Sequence, residues 1–149
     1  MPLPTTGTTA PWPSDITDQN GHQVKLSDFA GKHVLLYFYP KDDTPGCTIE
    51  ACNFRDHAPD LPGCVVLGAS RDDAASHRAF IAKFQLPYPL LVDPAGALAV
   101  AYGAAADASV MHPSRISVLI GPDGNIKAAW PKVDPKIHWE EVRRALLAH

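Results

Sequence analysis

The chain has 149 residues, the size of a single domain, and its 46% hydrophobic and 19% charged residues are ordinary for a soluble globular protein. A formal net charge of −3 gives no basic field for nucleic acid, and no apolar run approaches the roughly 18 residues that suggest a membrane span. Three cysteines are too few for a disulfide scaffold, and the first residues show no basic and apolar leader. We therefore expect a cytoplasmic protein that binds neither nucleic acid nor membranes.

The amino-terminal part of the chain predicts little regular structure. Residues 1–12 are rich in proline and threonine and are expected to form an irregular, loose lead-in. Asn20-Gly21 is a strong hairpin turn signal and separates two weak strands, near Asp15–Thr17 and near Gln23–Leu26. A single helical turn capped by Ser27 should follow this hairpin.

The rest of the chain alternates between apolar runs and helical patterns. Short runs of β-branched and other apolar residues predict the strands His33–Tyr39, Cys64–Ser70, Pro89–Asp93, Ile116–Ile120 and Ile126–Trp130. Helices are predicted over Pro45–His57, from Asp72 or Asp73 with Phe80, Ile81 and Phe84 facing inward, over Ala97–Tyr102, and over Trp139–Ala148 with Val142, Leu146 and Leu147 as its apolar face. This order predicts one α/β domain over residues 1–149, with a largely parallel central sheet, an antiparallel edge and flanking helices.

The informative segment lies where the first buried strand gives way to a helix, because ligands bind at that end of open α/β sheets. Thr44 suits the N-cap position and Pro45 the first helical position, which places Cys47 at N3. Free backbone N–H groups and the positive end of the helix dipole would both favour a thiolate there. Cys47 is therefore a candidate nucleophile, although a small buried residue at a helix start is the plainer interpretation.

The helix alone is not expected to ionise such a cysteine. An ordinary thiol with a pKa near ~8.5 is only a few per cent thiolate at pH 7. Making the thiolate the major form takes about two pKa units, or ~2.7 kcal/mol, whereas a helix N-terminus contributes about 0.3–2 kcal/mol. A second positive group is needed, and a fixed arginine is the best candidate.

Cys52 lies five residues beyond Cys47, on the same predicted helix. On an ideal helix this spacing separates the two Cα atoms by roughly 8–9 Å, and a disulfide needs less than about 7 Å. The pair therefore cannot form a disulfide while the helix is intact, and its first turns must unwind if the sulfurs are to meet. The spacing also differs from the C-x-x-C of dithiol oxidoreductases and zinc sites. A core position on the inner helix face remains an alternative for Cys52.

The motif Pro40-x-x-x-Thr44-x-x-Cys47-x-x-Glu50 resembles the active-site signature of the peroxiredoxins. The longer stretch Tyr37–Cys52 resembles that of their bacterioferritin comigratory protein, or Q-type, subfamily. Further stretches that resemble this subfamily are Leu26–Lys32, Val66–Asp72 and Arg115–Gly124. The resemblance implies a thioredoxin-like fold with a central mixed sheet between helices and an amino-terminal β-hairpin. It also implies an antioxidant thiol peroxidase that reduces hydrogen peroxide and organic hydroperoxides without a cofactor or metal.

The resemblance assigns a role to each residue of the signature. Cys47 is the peroxidatic cysteine, which attacks the hydroperoxide and becomes a sulfenic acid. Thr44 bonds the thiolate and the peroxide, and Pro40 shields the pocket. Arg115 supplies the fixed positive charge, and Glu50 orients Arg115. From the residues alone, a surface arginine and a solvated helix carboxylate remain the alternatives for these last two.

The resemblance makes Cys52 the resolving cysteine, which forms an intramolecular disulfide with Cys47 that thioredoxin then reduces. An intramolecular resolving thiol needs no partner subunit, so we expect a monomer. Cys64 opens a predicted buried strand and is expected to be structural; the alternative is that it competes with Cys52. The alternative functions for this chain, on the same fold, are those of a thiol–disulfide oxidoreductase and of a peroxide-sensing redox switch.

Three features depart from the pattern of the subfamily, and one of them is that residues 1–12 match no part of it. The segment Ala104–Ser114 is short and rich in alanine, which could alter access of the substrate. Asp42 and Asp43 place two negative charges near a site that should favour a thiolate. His112 lies shortly before Arg115 and could line the pocket, although a lone loop histidine usually faces solvent.

Overall fold

The computed structural model describes residues 3–148. Its strands are β1 (Thr17–Asp18), β2 (His33–Phe38), β3 (Cys64–Ser70), β4 (Leu90–Val92), β5 (Ser117–Ile120) and β6 (Ile126–Trp130). Its α-helices are α1 (Pro45–Asp56), α2 (Ala74–Phe84), α3 (Ala97–Ala101) and α4 (His138–Leu147), with short 3-10 turns at Leu26–Phe29 and Ala58–Asp60. No helix within residues 3–148 combines the length and the apolar character needed to cross a bilayer.

The six strands form one mixed sheet in the order β1-β4-β3-β2-β5-β6. The neighbours β2, β3 and β4 run parallel, because a helix crosses over between each of them. The remaining pairs, β1 with β4, β5 with β2, and β6 with β5, are antiparallel. The predicted mixed sheet with an antiparallel edge is therefore confirmed, and the central strand β2 leads directly into α1.

Alternate residues of β2 serve two hydrophobic cores on opposite faces of the sheet. Leu36 and Phe38 pack on the face covered by α3 and the amino-terminal segment. Leu35 and Tyr37 pack on the face covered by α1, α2 and α4. All four side chains are fully buried, which explains why the β2 sequence is apolar throughout instead of alternating.

The amino-terminal lead-in is irregular, as predicted, but it is not loose. The N–H of Gly7 donates to the carbonyl of Ile126, and the N–H of Ile126 donates to the carbonyl of Thr8, both at 2.8 Å. The N–H of Ala10 donates to the carbonyl of Gly124 at 3.0 Å, and the Ala10 side chain is buried. The lead-in therefore docks against the β5–β6 hairpin. Residues 1–2 of the predicted lead-in lie outside the described part of the chain.

The amino-terminal hairpin is shorter than the sequence pattern suggested. Its turn forms at Asn20-Gly21, but the second arm is a single bridge, in which Gln23 pairs with Thr17. The following 3-10 turn begins after Lys25, so Ser27 lies inside the turn and the prediction that it caps the turn is wrong. The carboxylate of Asp28 accepts the Lys25 N–H instead, which closes the start of the turn.

The positions of individual side chains decide two predictions about the helices. Asp73, and not Asp72, caps α2, because its carboxylate accepts the Ser76 N–H at 2.8 Å. Leu147 was expected on the apolar face of α4, yet it is 58% exposed in the last turn, so that prediction is wrong. Val142 is fully buried, which shows that the apolar face of α4 is centred one turn earlier.

Candidate active site

The start of α1 has the backbone that the sequence predicts. Thr44 is extended, with φ −104° and ψ 157°, and Pro45 opens the helix, which places Cys47 at N3. Asp43 precedes this cap with φ 55°, so the chain turns sharply through a left-handed residue. The Thr44 hydroxyl does not cap the helix; it donates to the carbonyl of Lys41 at 2.9 Å. Thr44 is thus the N-cap by position alone, and no side chain within residues 3–148 caps the turn that carries Cys47.

The side chain of Arg115 connects Cys47 with Glu50. Nη2 of Arg115 lies 3.3 Å from Sγ of Cys47, and Nη1 lies 3.0 Å from Oε1 of Glu50. Cys47 and Glu50 are each 1% exposed, one helical turn apart on α1. Arg115 comes just before β5, whose antiparallel pairing with β2 brings it across to the start of α1. Three residues that are distant or one turn apart in the sequence therefore form the cluster that the resemblance implies.

Burial and charge act against each other at Glu50. Burial raises its pKa to about 7, and the nearby Arg115 guanidinium only partly opposes this effect. Its second oxygen, Oε2, has no hydrogen-bond partner among the described residues. At neutral pH the carboxyl group is therefore divided between its two protonation states.

The charge of Arg115 is secured by the same contacts. Burial lowers the pKa of its guanidinium, but the hydrogen bond to Cys47 and the carboxyl group of Glu50 outweigh that effect and raise the pKa above its ordinary value. Arg115 therefore stays positively charged and presents one donor to the sulfur and another to the carboxylate.

Gly46 makes room for this arginine, a role that the sequence analysis missed. A β-carbon at position 46 would lie 3.0 Å from Nη2 of Arg115 and within 4.0 Å of Pro135. Because the backbone of Gly46 is not left-handed, its conformation does not require glycine. The constraint comes from a residue 69 positions away, so no local pattern could have revealed it.

Asp42 and Asp43, which precede α1, both bind other side chains. Oδ2 of Asp42 lies 2.6 Å from Nδ1 of His77 and 2.8 Å from the Ser76 hydroxyl, and Oδ1 accepts the Tyr39 hydroxyl at 2.5 Å. Nε2 of His77 contacts the carbonyl of Leu91 at 2.9 Å, and both His77 and Asp42 are buried. The loop before α1 is thereby tied to α2 and β4.

Asp43 also has a partner on α2, as Asp42 has in His77. Asp43 is exposed and pairs with Lys83 on α2 at 2.8 Å. His77 was not singled out from the sequence, although its position three residues before Phe80 places it on the inward face of α2. The concern that Asp42 and Asp43 oppose a thiolate is therefore removed, because each has a cationic or donor partner.

All three cysteines are free thiols in this structure. Cys52 is half-buried on α1, and α1 runs unbroken from Pro45 to Asp56, so the pair Cys47 and Cys52 is held apart as the helical spacing predicts. Burial raises the pKa of Cys64 to about 11, which makes it a poor nucleophile near neutral pH. This agrees with the expectation that Cys64 is structural.

A small cleft opens beside Pro40. Its volume is about 110 Å³, and its lining is Pro40, Lys41, Arg71, Asp72, Met111 and His112. Nδ1 of His112 lies 3.2 Å from the carbonyl of Pro40, although the histidine itself is exposed. Wider clefts border Pro122 and Asp123, but these residues follow β5 at the opposite end of the sheet. No group of His, Cys, Asp and Glu side chains within residues 3–148 could hold a metal ion.

Comparison with known proteins gives a consistent family. The AhpC/TSA family model matches residues 6–129. A putative peroxiredoxin bcp from Coxiella burnetii is 44% identical over 133 residues, covering 85% of this chain and 87% of the relative. The chloroplastic peroxiredoxin Q of Gentiana triflora is 38% identical and covers 88% of this chain, which spans 62% of that longer relative.

Solved structures agree with the sequence comparison. Among them is the Xanthomonas campestris bacterioferritin comigratory protein, in a study of its alkyl peroxide reduction activity. It superposes with a TM-score of 0.84 at 32% identity and covers 95% of this chain and 97% of its own. The thioredoxin-like fold is therefore confirmed. The chain belongs to the AhpC/TSA family and is a peroxiredoxin of the Q or bacterioferritin comigratory type, a thiol peroxidase.

Proposed function

We propose that this protein reduces hydrogen peroxide and organic hydroperoxides at Cys47. The observation that carries the proposal is the Arg115 guanidinium, which contacts Sγ of Cys47 at 3.3 Å and is held on its other side by Glu50. A fixed positive charge beside a sulfur at a helix N-terminus stabilises the thiolate, which is the nucleophilic form. The alkyl peroxide reduction named for the similar Xanthomonas protein supports organic hydroperoxides as substrates.

The chemical step transfers one oxygen atom to the sulfur. The Cys47 thiolate attacks an oxygen of the hydroperoxide, the O–O bond breaks, and the departing hydroxide or alkoxide takes a proton to give water or an alcohol. Arg115 donates to the attacked peroxide as charge develops on it. Thr44 gives the peroxide a further hydroxyl contact by turning away from Lys41, Pro40 shields the sulfur from bulk water, and Glu50 positions Arg115.

The second step returns the sulfur to the thiol state. The thiol of Cys52 attacks the sulfenic acid of Cys47, which forms a disulfide and releases water. A dithiol reductant, which we propose is thioredoxin, then opens the disulfide by exchange. Because both sulfurs belong to one helix, the cycle needs no second subunit, and we propose a monomer that works in the cytoplasm.

Mass spectrometry after one equivalent of peroxide tests this scheme. We expect an intramolecular Cys47–Cys52 disulfide in the unchanged chain and no peroxide consumption by Cys47→Ser. Cys52→Ser should reduce one equivalent of peroxide and then fail to be recycled by thioredoxin. Cys64→Ser is the matched control and should turn over normally.

Three results would contradict parts of the scheme. Full recycling in Cys52→Ser together with its loss in Cys64→Ser would exclude Cys52 as the resolving residue. Reduction of insulin disulfides without peroxide would indicate a general oxidoreductase. A disulfide-linked dimer would exclude the monomeric cycle.

A further inference from the structure

The middle of α1 is held by a tyrosine from outside the helix. Tyr88 lies in the loop between α2 and β4, and its hydroxyl donates to the carbonyl of Ala51 at 3.0 Å. Ala51 is fully buried and comes directly before Cys52. Tyr88 is itself 8% exposed, so water competes little for this hydrogen bond.

The hydroxyl of Tyr88 is fixed by a second tyrosine. Oη of Tyr37 lies 2.8 Å from Oη of Tyr88. A hydroxyl has a single proton, and a carbonyl can only accept, so Tyr88 donates to Ala51 and accepts the proton of Tyr37. Burial raises the pKa of both phenols, so both protons stay in place at physiological pH. The chain of donors therefore runs in one direction, from β2 to α1.

This pair is anchored on the central strand of the sheet. Tyr37 belongs to the central strand β2, and its ring packs on Phe54 of α1 with centroids 5.1 Å apart. A β-carbon at Gly68 of β3 would lie 3.0 Å from Oη of Tyr37 and 2.7 Å from Cδ2 of Leu90. The absent side chain at Gly68 thus leaves the space in which the Tyr37 hydroxyl reaches Tyr88.

The position of this contact matters because Cys47 and Cys52 cannot bond across an intact helix. Ala51 lies between the two cysteines, so unwinding that brings Cys52 to Cys47 displaces the Ala51 carbonyl from Tyr88. We propose that Tyr88 is a positioning residue that holds the resolving end of α1 and thereby sets the rate of disulfide formation. This inference rests on the proposed resolution by Cys52.

The holding contact also decides how the sulfenic acid of Cys47 is used. In one route Cys52 attacks it, and a disulfide and water form. In the other, a second hydroperoxide transfers an oxygen to it, which gives a sulfinic acid and a molecule of water or alcohol. A slower release of Ala51 favours the second route at any given peroxide concentration.

The variant Tyr88→Phe tests the inference, since it keeps the ring and removes the hydroxyl. Loss of one neutral hydrogen bond should speed disulfide formation about twofold to tenfold. The rate at which Cys47 consumes the first peroxide should stay unchanged, because none of its contacts is altered. The yield of sulfinic acid, measured by mass spectrometry at fixed peroxide, should fall by a similar factor.

Two single variants serve as matched controls. Tyr37→Phe removes a neighbouring hydroxyl but leaves Tyr88 bonded to Ala51, so its rate of disulfide formation should stay within about twofold of the unchanged chain. Tyr102→Phe removes a buried hydroxyl that donates to the carbonyl of Pro11, far from α1, and should have no effect. The double variant Tyr37→Phe with Tyr88→Phe removes both hydroxyls of the pair, so neither is left without the other, and it should be accelerated like Tyr88→Phe even if the single variant folds poorly.

Hydrogen exchange of the reduced protein provides a readout that needs no disulfide. In Tyr88→Phe or the double variant, protection of amides in residues 47–52 should fall by the same factor, with β2 and β3 unchanged. If neither variant speeds disulfide formation or exchange, or if Tyr102→Phe does so equally, the inference is overturned. If the unchanged chain forms no Cys47–Cys52 disulfide, the proposed resolution fails, while the exchange data still decide whether Tyr88 holds α1.

Discussion

Arg115 is the residue on which the chemistry of the site converges. One nitrogen serves the sulfur of Cys47 and another serves the carboxylate of Glu50. This arrangement uses the planar fork of a guanidinium, which offers several donors in fixed directions. A lysine at the same position would keep the charge but would offer one nitrogen to two acceptors.

The variant Arg115→Lys should therefore be impaired in its first oxidation. Loss of one hydrogen bond to a charged group, worth about 1.5–3 kcal/mol, should slow the reaction of Cys47 with peroxide roughly 10- to 100-fold in stopped-flow single turnover. Arg144→Lys on the exposed face of α4 is the control and should react normally. A rate for Arg115→Lys within twofold of the unchanged chain would mean that charge alone suffices.

Glu50 predicts a pH dependence of stability. Its pKa rises from 4.5 in the unfolded chain to about 7 in the fold, so the folded state binds more protons between these values and stability falls as the pH rises through them. Replacement by Gln removes this titration. Urea unfolding of Glu50→Gln at pH 5 and pH 8 should show a fall in stability smaller by about 2–3 kcal/mol than in the unchanged chain.

The control for this measurement is Glu140→Gln, an exposed carboxylate on α4. It should keep the pH profile of the unchanged chain, because other titrating groups contribute equally to both. Identical profiles for Glu50→Gln and the unchanged chain would show that Glu50 does not titrate near neutral pH.

At the scale of single residues, the sequence predicted those features of the site that depend on neighbouring residues. The placement of Cys47 at N3 followed from Thr44 and Pro45, and the need for an arginine followed from the free energy of ionising a thiol. The identity of that arginine came from a family resemblance, since Arg115 lies on a distant strand. Gly46 escaped prediction because its constraint is a long-range approach.

At the scale of elements, the loop between β2 and α1 is fixed by a buried hydrogen-bonded pair. Asp42 and His77 join this loop to α2, and the second nitrogen of His77 joins it to the carbonyl of Leu91 in β4. The loop thus presents Pro40 and Thr44 from a backbone anchored on two sides. Removing one partner leaves a buried polar group without its hydrogen bond.

The variant His77→Ala should lose about 3–5 kcal/mol of unfolding free energy, measured by urea denaturation, because it removes two buried hydrogen bonds and leaves a cavity. Lys83→Ala is its control, because it breaks the exposed pair with Asp43 and should cost at most about 1 kcal/mol. Equal losses in the two variants would show that the Asp42–His77 pair adds no more than a surface contact.

Prediction of the elements succeeded where a single periodicity dominated. The apolar run of β2 and the proline-led start of α1 were placed within one or two residues. The prediction of a second hairpin strand at Gln23 failed, because a bridge of one residue is too short to show the alternating pattern of a strand. Leu147 failed for a different reason: an apolar residue in a last helical turn can face solvent at little cost.

At the scale of the whole molecule, the two hydrophobic cores lie under different parts of the structure. One face of the sheet carries α1 and the residues of the site, and the other carries α3 and the docked lead-in. The lead-in bonds to the β5–β6 hairpin, at the end of the sheet opposite Cys47. Stability and catalysis should therefore be separable by truncation.

Removal of residues 1–10 should lower the unfolding free energy by roughly 2–4 kcal/mol, from three backbone hydrogen bonds and the burial of Ala10. Chemical denaturation measures this loss, and stopped-flow oxidation of the truncated chain should remain unchanged. Thr6→Ala, at an exposed position of the lead-in, is the control and should cost less than about 0.5 kcal/mol. A slower oxidation after the longer truncation would show that the two faces are coupled.

The sulfur and the charge that serves it stand on different kinds of support. Arg115 precedes an antiparallel strand inside the sheet, whereas Cys47 lies on a helix that must open if the proposed disulfide is to form. In the proposed cycle, opening of this helix moves the Cys47 sulfur away from the Arg115 guanidinium. The peroxide therefore reacts with the closed conformation and the reductant with the open one, so the two do not compete for the same conformation of the chain.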